Sequence, residues 1–81
     1  MKVSWIKYAN DKESFKVQET LGLNVISLEN PEETDEKIKE LLNQEYKMVV
    51  LSNEIASFSE DIITKYNTDK NISIIIATAK E

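Results

Sequence analysis

Apolar positions along the chain gather in short runs separated by polar stretches, and the spacing inside each stretch distinguishes strand from helix. Residues 2–8 form a mixed run with Val3, Trp5, Ile6 and Tyr8, all strand formers. Asn10 and Glu13 then stand at capping-box spacing, which predicts a short helix through Phe15 and Val17 to about Leu21. Gly22, the one glycine, falls where a helix end takes a left-handed residue. Val25, Ile26 and Leu28 mark a second strand over residues 24–28.

The next helix carries the clearest start signal in the chain. Asn30 is placed as N-cap, Pro31 at the first helical position, and Glu32 and Glu33 in the first turn. Thr34, Ile38, Leu41 and Leu42 recur at helical spacing. Glu33 with Lys37, and Asp35 with Lys39, are acid-before-base pairs four apart. Residues 47–51 carry the unbroken apolar run Met48-Val49-Val50-Leu51, which suits a central parallel strand. A third helical stretch follows from Ser52-Asn53-Glu54, with Ile55, Phe58, Ile62, Ile63 and Tyr66 on one side. Ser57 and Glu60, again at capping-box spacing, predict a break within it. A fourth strand is read over residues 72–77.

The resulting order, β-α-β-α-β-α-β over residues 1–81 as one domain, implies a parallel sheet with right-handed crossovers. The expected strand order is 2-1-3-4, the opening part of a flavodoxin-like doubly wound α/β fold. In that topology the first helix alone covers one face of the sheet and the later helices cover the other. One face is therefore expected to be thinly shielded and open to a partner or a second copy.

Composition narrows the chemistry. The chain lacks cysteine and histidine, which removes thiolate sites, the usual metal ligand and the usual neutral-pH proton carrier. All ten basic residues are lysines and the formal charge is −5, so a nucleic-acid backbone is an unsuitable partner. An apolar fraction of 41% is that of a folded chain, and no run reaches the length of a membrane span. A cytoplasmic protein without direct membrane insertion is expected.

Doubly wound folds bind ligands at the carboxyl ends of their strands, a rim expected to hold Tyr8, Asn10, Asp11, Ser52, Asn53, Glu54, Thr78 and Lys80. The turn after the first strand, Lys7-Tyr8-Ala9-Asn10-Asp11, has no glycine to let backbone amides approach a phosphate, and no Walker-type segment occurs. A receiver-like phosphoryl site needs an aspartate at the end of the third strand, where Ser52-Asn53 stands. Asp11 and Glu13 are expected instead to serve the positive end of the first helix. Glu32, Glu33, Asp35 and Glu36 lie in a helix's first turns beside lysines, a solvated face rather than a cation loop. No catalytic, metal or cofactor-binding residue is assigned, and the protein is expected not to be an enzyme.

Three segments carry a family resemblance. Phe15-Lys16-Val17, with Gly22 and Val25 after it, is similar to a phenylalanine–basic–apolar helix ending in glycine. Residues 45–56, from Glu45-Tyr46-Lys47 through the apolar strand to Ser52-Asn53-Glu54-Ile55-Ala56, are similar to a strand followed by Thr-Glu-x-Ile-Ala. Ile62-Ile63-Thr64-Lys65-Tyr66 and residues 72–76 complete the match. Together they resemble the small F-type rotor component of the archaeal and bacterial V-type (A-type) ATPases. The family's Gly-Asp turn is Ala9-Asn10-Asp11 in this chain, its glutamate after the third strand is Asn53, and its proline-containing segment and C-terminal helix lie beyond the fourth strand, where this sequence stops at Glu81.

The resemblance implies a non-catalytic central-stalk protein that binds the larger D-type component of the rotor shaft. The expected interface is Ser52, Asn53, Glu54 and Ile55, with Tyr8, Asn10, Asp11 and Phe15 beside them. The alternative from another class is a small flavodoxin-like or receiver-like regulatory domain that binds a small ligand or another protein.

Overall fold

A computed structural model describes residues 2–77. Thr78 and Lys80, expected on the rim, lie outside the described residues. The elements run β1 (Val3–Tyr8), α1 (Lys16–Thr20), β2 (Val25–Leu28), a 3-10 turn (Pro31–Glu33) leading into α2 (Thr34–Asn43), β3 (Met48–Ser52), α3 (Asn53–Ala56), α4 (Glu60–Tyr66) and β4 (Ser73–Ala77). All strand pairs are parallel and the sheet order is β2-β1-β3-β4, as the alternation of strands and helices predicts.

Register fixes which side chains share a face. Trp5 lies opposite Val25 on one side and Val50 on the other, and Val50 lies opposite Ile75. Successive residues alternate, so Ile6, Leu28, Val49, Leu51 and Ile74 line the opposite face. That second set is buried with Ile38 and Leu41 of α2, Ile55 and Ala56 of α3, and Ile62 and Ile63 of α4, forming the core. Tyr8, Ile26, Leu42, Tyr46, Tyr66 and Ile72 pack around its border.

The helix starts divide into those the sequence signals place correctly and those they misplace. Asn30 accepts a hydrogen bond from the Glu32 N–H at 3.0 Å and caps the turn that Pro31 begins, as its spacing predicts. The break in the third helical stretch is also real, dividing α3 from α4. Its expected capping box does not form: the Ser57 hydroxyl turns back to the Glu54 carbonyl at 2.9 Å. Ser59 holds the N-cap position of α4, and its buried hydroxyl donates to the Asp35 carboxylate of α2 instead of serving its own helix.

The first capping box fails as well. The Asn10 amide donates to the Tyr8 hydroxyl at 3.2 Å, while Asp11 takes the capping role, its Oδ1 accepting from the Glu13 and Ser14 amides at 3.0 Å each. The helix accordingly begins late, at Lys16. The expected pairs Glu33–Lys37 and Asp35–Lys39 are not the ones made: Lys37 pairs with Glu40 at 2.7 Å and Asp35 serves Ser59. Lys37 reaches along the helix to the nearest carboxylate, and Asp35 is drawn to a buried hydroxyl that needs an acceptor.

Candidate functional site

The face of the sheet opposite the core has one cover, the five-residue helix α1. Its approach is set by two local devices. Asp11 closes the turn after β1 by accepting from two amides and from the Ser14 hydroxyl at 2.6 Å. Phe15 then adopts a left-handed backbone, φ 62° and ψ 31°, a conformation that a bulky side chain rarely takes. Its ring is buried, so packing holds the turn in place. Gly22, at φ 77°, ends the segment in the left-handed position its sequence context predicts.

Lys7 fastens this arrangement from below. Alternation along β1 puts its side chain on the α1 face, where it is 4% exposed. Its Nζ donates to the Ser14 carbonyl at 3.1 Å and lies 3.2 Å from the Glu19 carboxylate. A buried ammonium without such partners would be strongly unfavourable. This strap joins strand, turn and helix.

The cover is incomplete. Between α1 and the sheet runs a groove of about 610 Å³ lined in part by Trp5, Phe15, Val17, Val50 and Ala77. Around it Val17 is 64% exposed, Leu21 67% and Ile75 43%, with Leu23 also exposed. Solvated apolar side chains are common singly, but a cluster beside a groove marks a contact surface.

The strand-end rim forms a second, more polar surface. A depression of about 370 Å³ is bordered by Tyr8, Asn10, Asp11, Lys12, Glu13 and Glu54. A smaller one of about 230 Å³ lies between Tyr8, Pro31, Glu54, Ile55 and the half-exposed Phe58. Glu13 also lines the groove under α1, so the two surfaces are contiguous along the turn after β1.

The residues named from the sequence therefore separate by depth. Asn10, Asn53 and Glu54 are exposed, and Tyr8 and Asp11 partly so. Ser52 and Ile55 are buried: the Ser52 hydroxyl accepts from the Ile55 N–H at 3.4 Å to cap α3, and Ile55 belongs to the core. They shape the rim from beneath rather than present atoms on it. Phe15 is buried under α1, in the wall of the groove.

Sequence reasoning passes over Lys7, Val17 and Phe58 as site residues. Strand alternation places Lys7 near Trp5 and could have flagged it; its anchoring partners, seven and twelve residues away, carry no such signal. Among the described residues, no group of three or more acidic side chains could hold a metal ion, and no helix is long and apolar enough to cross a membrane. No protein-family model, curated protein or solved structure matches the chain.

Proposed function

We propose that this domain is a non-catalytic docking module that binds another protein through the α1 face and the adjoining rim. The observation that carries the reading is the half-covered sheet: Trp5, Val50 and Ile75 lie in register across three strands, beneath a helix too short to shield them. Exposed Val17, Leu21 and Leu23 extend that apolar surface outward. A partner that covered it would remove apolar area from water, the main driving force of association.

The partner chemistry follows from two features. The surface is apolar at its centre, and the adjoining rim bears Asp11, Glu13 and Glu54 against Lys12, so a helical partner with an apolar stripe and flanking basic residues is complementary to it. The resemblance of residues 15–25, 45–56 and 62–76 to the F-type component of rotary ATPases supplies a specific candidate. That candidate is the D-type protein of the central shaft, with this chain as its F-like companion in the membrane-peripheral, cytoplasmic rotor.

The test is direct. The chain and a candidate D-type shaft protein are mixed at micromolar concentration and followed by calorimetry and sedimentation. A one-to-one complex, weakened by Val17→Glu and by Ile75→Glu, is expected. No association at that concentration, or association indifferent to both substitutions, would count against the assignment.

A further inference from the structure

The docking surface leaves the β4 edge of the sheet without a role. Among the described residues, β4 pairs with β3 on one side only. Ser73 donates its N–H to the Lys47 carbonyl at 2.9 Å, so residues 73, 75 and 77 direct their backbone groups toward β3. In a parallel strand the N–H and C=O of one residue point the same way, and the alternate residues Ile74 and Ile76 therefore direct theirs away from the sheet. A strand without Pro or charge, reading Ser-Ile-Ile-Ile-Ala, is an open template for pairing with another chain.

Ile74 is not open. The Asn67 side chain meets both of its outward groups: Asn67 Oδ1 accepts from the Ile74 N–H at 3.0 Å, and Asn67 Nδ2 donates to the Ile74 carbonyl at 3.2 Å. An asparagine amide has the same donor and acceptor as a peptide unit, and here it occupies the lane a neighbouring strand would use. The connection to β4 holds it there. The Asp69 N–H bonds to the Tyr66 carbonyl at 3.0 Å, the Thr68 hydroxyl to the Lys65 carbonyl at 2.8 Å, and the Asn71 N–H to Asp69 Oδ1 at 2.9 Å.

We propose that Asn67 acts as a one-residue surrogate strand, closing the β4 edge to strand addition at Ile74 and so preventing copies of this chain from joining edge to edge. Two blocked positions are unnecessary, because an added strand must pair at alternate residues and Ile74 lies within the apolar run. The opposite edge is managed differently. β2 has four residues, and the Val25 N–H folds back onto the Leu23 carbonyl at 2.9 Å. A short strand offers little to a newcomer. The β4 edge is longer and more apolar, and Asn67 supplies the protection that its own sequence lacks.

The experiment compares the wild-type chain with Asn67→Ala by residue-resolved amide exchange and by sedimentation velocity at matched concentrations. In the wild type the Ile74 amide is expected to exchange slowly. In Asn67→Ala it should exchange about tenfold faster or more, as loss of a hydrogen-bond acceptor allows, and the sedimentation coefficient should climb with concentration above that of the wild type. Asn67→Ser, whose side chain is too short to reach both groups, carries the same expectation should the alanine variant fail to fold. Equal Ile74 exchange in wild type and variant, or matched sedimentation at every concentration, overturns the proposal.

Discussion

On one face of the sheet Ile6, Val49, Leu51 and Ile74 disappear beneath α2, α3 and α4; on the other, Trp5, Val50 and Ile75 share α1 alone. The strands contribute similar residues to both sides, so the difference lies in the covering elements. The core face is closed by apolar side chains that interlock: Ile38 and Ile55 are fully buried against it. The α1 face is held by a few polar clamps around one buried ring, with Val17 and Leu21 left in water. Burial makes the first face a source of stability, and exposure makes the second a surface with binding capacity to spare.

The largest expected effect tests the first half of that contrast. Ile38→Ala removes a fully buried side chain from α2 and should cost about 3 to 4 kcal/mol, read as a lowered urea midpoint. In so small a domain that is a large share of the total stability. Lys7→Ala should cost less, about 1 to 2 kcal/mol, because a partly solvated clamp is lost rather than a packed core residue. Its signature is local, with amides of residues 16–20 losing protection before the core does.

Gly22→Ala adds a methyl that meets nothing within 4 Å, so its cost is purely that of holding a left-handed backbone, about 1 kcal/mol by thermal denaturation. A loss approaching that of Ile38→Ala would show that the end of α1 is more tightly integrated than its contacts indicate. The smallest stability effect belongs to Val17→Ser, expected within about 0.5 kcal/mol of wild type. The same substitution should weaken partner binding about tenfold, or ~1.4 kcal/mol, by calorimetry. A large stability loss at Val17 would erase the distinction between the two faces.

The core face is legible in the sequence because its signals are periodic. Ile38 and Leu41 at helical spacing, the run from Met48 to Leu51, and Asn30-Pro31 as a helix start all describe local preferences that the packing obeys. Strand order and the thin cover of one face follow from crossover handedness and the brevity of the first helix. The site itself is legible only in part. Asn10–Glu13 and Ser57–Glu60 have capping-box spacing, yet Asp11 lies closer to the turn it closes and Ser59 is recruited by Asp35 across the fold. Ser52 and Ile55 read as surface from their rim position, and capping and core packing draw both inward. Such outcomes depend on which tertiary neighbour reaches a polar group first, and spacing along the chain does not encode that.

The left-handed turn at Phe15 has a kinetic consequence. A five-residue helix is too short to persist without tertiary support, and this one is reached through a backbone conformation that costs about 1 to 2 kcal/mol and is held by a buried ring and one lysine. Residues 13–21 therefore form the segment that opens first, with an opening free energy well below that of global unfolding. A partner seated on the α1 face would slow this opening. Occupancy should thus register as protection of these few amides while the melting of the core scarcely moves, which makes the segment a built-in reporter of whether the surface is covered.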